Sequence, residues 1–394
     1  MHGQQPYSRN NSNNYDMEKE KSEIRIGILM EGAHKLNTGI GEFQNSIAVR
    51  LAQRAPMLKQ KYGIRLCFIM TKGHEGSYGP DVDYCTISHR LRDAVNFPLL
   101  RPLLKRRLPH FDLLHWTDQF FKFRTPLAPL QLITVHDVNF MHNEIGTLHR
   151  MKKMRVTRRR LAQATHLAFI SQFTSLDVQN NFELGVPSRV IYNGVTNLNT
   201  RPQEEFDKVI AEMHLPEHYL LHISRWSRKK NVHLLIKMMK HLPNRHLVIA
   251  GSAGEDFTRY LHHLTESLHL TNVHFVGRVS TGQKAALMSR CDALLFPSRS
   301  EGFGLPVVEA MCFGKPSFIT RLTSLPEVGG NDAYYFGSFV PEEMAVTVEE
   351  GLADLAKAPE EWAERLKAHA ATFCWDKAVD EYIDYYLDIL GIKH

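Results

Sequence analysis

Short apolar runs recur along this chain with longer helix-patterned segments between them, and that alternation leaves few folds open. In the first half the runs are IRIGILM, IRLCFIM, DLLH, LITVHD, HLAFIS and RVIY; in the second they are YLLHIS, HLVIAG, VHFVG, DALLF, PSFIT and AYYF. Each is rich in Val, Ile and Leu without polar alternation, the pattern of strands covered on both faces. Segments such as GEFQNSIAVRLAQR and VHLLIKMMKHL read as the helices that cover them. Alternating β and α elements imply parallel sheets joined by right-handed crossovers. The rhythm pauses once, at the polar stretch TNLNTRPQEEF (196–206), and then restarts. The expected architecture is α/β, with two doubly wound, Rossmann-like domains at 23–196 and 197–375, and 394 residues suit two such cores. Ligands of such sheets bind beyond the carboxyl ends of the strands, so two facing sheets make an interdomain cleft. Residues 1–22, rich in Asn, Ser and Gln, read as a disordered tail.

Other classes fall away. No run approaches the length of apolar chain that a membrane span requires, and the N-terminus lacks the pattern of a secretory leader. Five scattered cysteines without a C-x-x-C support neither a disulfide framework nor a zinc cluster, which fits a reducing cytoplasm. The net charge of +6 is unevenly placed: residues 1–200 carry +11, which leaves −5 for the rest. Much of the excess lies in Arg101–Arg107 (RPLLKRR) and Arg150–Arg160 (RMKKMRVTRRR). A basic half and a mildly acidic half point to different partners.

The segment richest in chemistry is SRSEGFGLPVVEAMCFGKPSF (298–318), between a buried strand and a helix. Pro306 suits a first helical turn, Gly302 and Gly304 let backbone approach a ligand, and the free N–H groups of the helix start attract an anion. Glu301 precedes that start and Glu309 is expected in the first turn, so two carboxylates flank a phosphate site, one suited to a ribose diol and one to sugar hydroxyls. The bland alternative is a capped helix with solvated glutamates. Arg225 and Lys230 lie five residues apart in HISRWSRKKN, where two fixed cations would stabilise a departing diphosphate; otherwise they form a solvated basic loop. His136 and Asp137 end the strand LITVHD, with Asp137 either orienting His136 or capping the next element. Gly39 and Gly41 in NTGIGEF offer a second phosphate cradle, although Gln44 breaks a dinucleotide fingerprint. His115 reads as structural. A lone D-x-D at Asp81 and Asp83 is weak evidence of a metal, the 22 histidines show no ligand spacing, and no nucleophile elbow, Walker A loop or H-E-x-x-H occurs.

Taken together, these residues resemble the signature of the family-four retaining glycosyltransferases, which have the GT-B fold. A glutamate, seven residues and a second glutamate form its core, here Glu301 to Glu309. TGIGEF, His136-Asp137, SQFT (171–174), IYNGV (191–195), Arg225 with Lys230, IAGSAGED, VHFVGRVS and LPEVGG follow in the order that family requires. FCWDKAVDEYIDYY resembles its final helix, so 376–394 is expected to cross back to the first domain. Cys312, Phe313 and Thr196 depart from the usual pattern, which bears on donor identity.

The resemblance implies a nucleotide-diphosphate sugar as co-substrate, with no cofactor and no metal. Glu309 would hold the ribose and Arg225 and Lys230 the diphosphate. Backbone around Gly302, Phe303, Gly304 and Leu305, with Gly39 and Gly41 across the cleft, would assist. Glu301 and His136 would contact the sugar, and Arg278 would lie near the base. The expected reaction is retaining hexosyl transfer, from a GDP-mannose or UDP-glucose type donor to a glycan or lipid-linked acceptor. A silent sugar-nucleotide-binding protein would be expected to lose Glu301, Lys230 or His136. A phosphorylase would need a pyridoxal-phosphate lysine, and a sugar-nucleotide epimerase is the remaining alternative. For the two basic runs the expected partner is an anionic membrane surface, at the inner face of a cytoplasmic enzyme, rather than nucleic acid.

Overall fold

The computed structural model describes residues 23–35, 38–97, 109–122, 127–142 and 145–393. Two parallel sheets organise them, and each of the twelve apolar runs supplies one strand. The first sheet comprises β1 (Ile24–Leu29), β2 (Ile64–Ile69), β3 (Asp83–Cys85), β4 (Leu113–Trp116), β5 (Leu130–Val135), β6 (His166–Phe169) and β7 (Ser188–Val190), ordered β3-β2-β1-β4-β5-β6-β7. The second comprises β8 (Leu220–Arg225), β9 (Leu247–Ser252), β10 (Val273–Gly277), β11 (Ala293–Phe296), β12 (Ser317–Thr320) and β13 (Tyr334–Phe336), ordered β10-β9-β8-β11-β12-β13. β3 has no apolar run behind it. Its three half-buried residues form a sheet edge, and Asp83 there faces Arg25 at 3.9 Å and Arg65 at 3.6 Å. That arrangement gives one carboxylate of the D-x-D a structural use.

In each sheet the strand order reverses once, between β1 and β4 and between β8 and β11. Crossovers diverge at such a switch point and leave a crevice at the carboxyl ends. The loops that leave these four strands carry most of the residues singled out above.

The polar stretch after β7 is shorter than the sequence suggests, because the Gln203–Glu212 helix begins inside it. Its apolar face packs on the Thr281–Arg290 helix and buries Phe206. At the other end of the chain, the Trp375–Leu390 helix lies along the Gly39–Tyr62 helix of the first domain. Arg54 meets Asp380 at 2.6 Å and Arg50 meets Asp376 at 3.2 Å. Below these surface pairs, the Tyr382 hydroxyl reaches Thr134 at 3.0 Å and the Tyr386 hydroxyl reaches His115 Nδ1 at 2.7 Å. His115 is fully buried in this network and burial lowers its pKa to about 3, a structural role. The apolar cluster that contains Trp375, Tyr382 and Tyr386 draws on both domains, so the helix fastens one to the other.

Candidate active site

The loop after β11 and the helix that follows, Leu305–Cys312, form the centre of the site. Gly304 adopts φ 116°, which a side chain would strain, and thereby turns the chain into the helix with Pro306 in its first turn. The side chain of Ser324 supports the loop from below, its hydroxyl 2.9 Å from the Phe303 carbonyl and 3.2 Å from that of Glu301. Thr323 accepts the Glu301 N–H at 3.0 Å.

Gly302 seats this loop on the opposite domain. A Cβ there would lie 2.4 Å from the His136 carbonyl oxygen and 3.2 Å from Asp137 Cβ. No side chain fits, and its absence lets the two halves of the cleft meet backbone to backbone.

Glu301 is half-buried and ion-pairs with Lys230, whose ammonium also sits 4.9 Å from the centre of the Phe296 ring. Lys230 ends a short 3-10 turn, Arg228–Lys230, and Asn231 at φ 56° redirects the chain into the Val232–Met238 helix. The Asn231 amide holds that bend by donating to the Pro297 carbonyl at 2.8 Å. Arg225 is exposed at the end of β8 and has no ion-pair partner among the described residues. Its register partner Ser252 accepts from Arg278 Nε at 2.8 Å, so Arg225 and Arg278 flank one point on the sheet edge.

Glu309 departs from expectation. The helix starts at Leu305, which puts Glu309 in the second turn, and it is 4% exposed. Lys284 of the Thr281–Arg290 helix approaches it at 2.5 Å. Glu42, from the Gly39–Tyr62 helix of the first domain, belongs to the same cluster. Burial raises its pKa, Glu309 raises it further and Lys284 offsets part of the rise. Neither Lys284 nor Glu42 carried a spacing signal in the sequence.

On the first domain, His136 is 7% exposed and burial holds it below the usual histidine range despite Asp118 and Asp137 nearby. Its Nε2 lies 2.8 Å from the Thr117 carbonyl, which requires the proton on that nitrogen and leaves Nδ1 as the acceptor. Gln119 accepts from the His136 N–H at 3.1 Å and donates to the Asp137 carbonyl at 2.7 Å. Asp137 does not orient the imidazole. Its carboxylate accepts the Asn139 N–H at 2.9 Å and caps the next turn. Thr117, in turn, donates to the Leu29 carbonyl and accepts from Gln44 at 2.8 Å, tying the ends of β1 and β4 to the Gly39–Tyr62 helix.

Thr38 caps that helix by accepting the Gly41 N–H at 3.1 Å. Gly39 has open space beside its Cα, whereas Gly41 is buried against the carbonyls of Gly32 and Lys35. Of the two, Gly39 alone is open to a ligand. The Phe303 ring is buried near Tyr192 and Phe373 and acts as packing, while Leu305 is half-buried at the helix start. The motifs SQFT and LPEVGG prove to be two sides of one interdomain contact. Glu327 accepts the N–H groups of Gln172 at 2.7 Å and Phe173 at 2.5 Å, and the Tyr192 hydroxyl at 3.1 Å. A carboxylate at a helix N-terminus is favourably placed against the helix dipole.

Comparison with known proteins places this arrangement. Residues 203–372 match the family model described as glycosyl transferases group 1. The serotype-specific mannosyltransferase WbdA of Escherichia coli is 31% identical over 172 residues, 41% of this chain and 20% of that protein. The O-antigen chain mannosyltransferase RfbU of Salmonella typhimurium is 26% identical over 212 residues, 53% of this chain and 57% of that protein. The chain thus spans between a fifth and three fifths of the length of these curated relatives. Among solved structures, HepE from Anabaena, in complex with UDP and glucose, superposes with a TM-score of 0.67 at 20% identity, covering 93% of this chain and 99% of that one. Sucrose-phosphate synthase from Thermosynechococcus elongatus gives 0.70 at 17% identity, with the same coverage. These neighbours share the fold, which is GT-B.

Proposed function

We propose that this chain, whose residues 203–372 match the family model for glycosyl transferases group 1, transfers a hexose from a nucleotide-diphosphate sugar to a hydroxyl of a glycan or lipid-linked acceptor. One observation carries the reading: the loop whose Glu301 pairs with Lys230 is seated, through Gly302, on the backbone of His136. A charged site for a diphosphate and a neutral imidazole thereby share one small volume. Mannose is the favoured sugar, because WbdA and RfbU are named mannosyltransferases. HepE, which binds UDP and glucose, keeps a glucosyl donor as the second choice.

In this reading Arg225, Lys230 and the amides at the Leu305 helix start hold the diphosphate, and Arg278 lies beside it toward the base. Glu309 accepts the ribose hydroxyls and Glu301 those of the hexose. His136, held neutral, offers Nδ1 to a sugar hydroxyl. The bond from the anomeric carbon to the phosphate oxygen breaks as the bond to the acceptor oxygen forms on the same face, and the acceptor proton passes to the departing phosphate. Configuration is therefore retained. Arg225 and Lys230 neutralise the leaving group, so the reaction requires no metal.

A donor-panel hydrolysis assay with GDP-mannose and UDP-glucose, followed by proton NMR of the first sugar released, tests donor and stereochemistry together. Release of the inverted anomer would overturn the mechanism, and complete loss of activity in EDTA, restored by manganese, would overturn metal independence. Calorimetry with GDP and UDP separates the glutamates: Glu309→Ala should weaken binding of the bare nucleotide, and Glu301→Ala should spare it while lowering transfer.

The Thr147–Leu161 helix supports the reading of an acceptor at a membrane surface. Lys152, Lys153, Arg155, Arg158 and Arg159 are exposed on it beside Leu148 and Met151, which are 84% and 60% exposed. Arg150 and Arg160 are half-buried and stand apart from that surface. Arg101–Arg107 lie outside the described residues. Cations with apolar anchors suit an anionic bilayer, and no helix among the described residues is long and apolar enough to cross one. Salt-sensitive cosedimentation with anionic liposomes, and none with neutral ones, is the expected result.

A further inference from the structure

Lys284 was invisible in the sequence, yet it is the closest cation to the carboxylate on which nucleotide recognition depends. It lies in the first turn of the Thr281–Arg290 helix, whose start is fixed by a reciprocal cap between Ser280 and Gln283. Its ammonium approaches Glu309 at 2.5 Å, with the two side chains 22% and 5% exposed. A buried carboxylate and a part-buried ammonium in contact offset each other's loss of hydration. An ammonium has three N–H donors, and Glu309 uses one.

The third member, Glu42, comes from the other domain and lies in the first turn of the Gly39–Tyr62 helix. Burial alone would lower the pKa of Lys284, but Glu309 foremost, and Glu42 after it, hold it above the usual value. Lys284 neutralises Glu309, and Glu42 adds a negative charge from further off. That environment repels a phosphate and favours O–H donors, and the donor available at this end of a nucleotide is its ribose diol. The diphosphate then belongs with Arg225, Lys230 and Arg278, on the other side of the Leu305 helix start.

We propose that Lys284 is a positioning residue that holds the Glu309 carboxylate toward the ribose. This rests on the reading of Glu309 as the ribose ligand. Lys284 touches neither the sugar nor the reacting atoms; its effect passes through the Glu309 carboxylate.

Calorimetry with GDP and 2′-deoxy-GDP, and with UDP and 2′-deoxy-UDP, tests the proposal on Glu309→Gln, Lys284→Met and Lys284→Arg. The ribose nucleotide used is the one that binds more tightly to the wild type. Lys284→Met should weaken it about tenfold, the scale of one charged hydrogen bond, and should shrink the preference for ribose over deoxyribose. Lys284→Arg should restore both to within about threefold of wild type, since the donor and its charge are kept.

Wild-type affinity and ribose preference in Lys284→Met, with binding lost in Glu309→Gln, would overturn the proposal and leave the ribose reading standing. Unchanged affinity in Glu309→Gln would instead overturn the ribose reading itself.

Discussion

The carboxyl edges of the two sheets face one cleft and are built from different materials. Along the second sheet the cleft is lined by ionised side chains: Arg225, Lys230 and Arg278, with Glu301 and Glu309 each held by a lysine. Along the first sheet it is lined by neutral groups fixed by hydrogen bonds, in which the Thr117 carbonyl sets the tautomer of His136 and Gln119 brackets the backbone around it. The difference fits what each edge would hold under the proposed function. A diphosphate carries fixed charge and is bound by opposing fixed charge that needs no reorganisation as the bond breaks. A hydroxyl and a neutral sugar are bound by donors and acceptors of defined direction, and a stray charge beside them would draw in water. Glu42 is the exception on the first sheet's side, and it belongs electrostatically to the second.

The largest expected effect tests the charged edge. Lys230→Ala removes a diphosphate cation and strands Glu301, so turnover should fall by about 10²–10³, equal to roughly 2.7–4 kcal/mol of transition-state stabilisation. Nucleotide affinity should fall with it, because the bound diphosphate is already charged. Steady-state kinetics and calorimetry on one preparation check both, and wild-type values would mean that the second sheet's charges are ordinary surface. Gly302→Ala comes next and acts on the seam. Its Cβ would meet the His136 carbonyl at 2.4 Å, so the edges would have to separate. Displacement on the order of 1 Å costs about 10² in rate. The nucleotide, held by the second domain, should keep its affinity; loss of both together would show that the seam also shapes the nucleotide site.

The same contrast explains what was legible in the sequence. The strands were legible because burial on both faces demands continuous apolar runs; β3 was missed because a half-buried edge of three residues demands none. The meeting of Lys230 with Glu301 was legible because both lie in loops that leave neighbouring strands of one sheet. The pairing of Lys284 with Glu309 was not, because it joins two helices whose contact no spacing in the chain announces. The supports of His136 were equally silent. A backbone carbonyl such as that of Thr117 leaves no trace in residue type, so only the structure decides between the two readings of Asp137, in favour of the cap. Even the placement of Glu309 turned on one residue, since a helix that begins at Leu305 moves it from the first turn to the second.

A smaller effect is expected on the neutral edge. Gln119→Leu removes the acceptor of the His136 N–H and the donor to the Asp137 carbonyl, leaving a buried amide unpaired. Turnover should fall about tenfold to thirtyfold, within the range of one unmade buried hydrogen bond, while nucleotide affinity stays at the wild-type value. That split in the kinetics is the signature of the first sheet's contribution. A Gln119→Leu enzyme that loses nucleotide binding instead would erase the distinction between the edges.

The smallest effect concerns a neutral group beneath the charged edge. His222 is fully buried at the base of the second site, its Nδ1 2.8 Å from the Leu295 carbonyl and its Nε2 2.7 Å from the Ser224 hydroxyl. Burial, the largest cause, lowers its pKa to about 4; the Leu295 hydrogen bond opposes that shift, Lys230 adds to it and Glu301 again opposes it. In the unfolded chain the same imidazole titrates near about 6.5. Between those values the unfolded state binds a proton that the folded state refuses, so stability contributed by neutral His222 is full above about pH 6.5 and is lost as the pH falls toward 4. At pH 5.5, one unit below the unfolded value, the loss is about 1.4 kcal/mol. Urea unfolding of the wild type and of His222→Gln at pH 7.5 and 5.5 isolates it, since every other histidine contributes equally to both proteins. The variant should be less stable at pH 7.5, yet lose less on acidification by about that amount. Equal losses in the two proteins would mean that His222 takes up its proton without unfolding, and that the charged edge tolerates a third cation beneath Lys230.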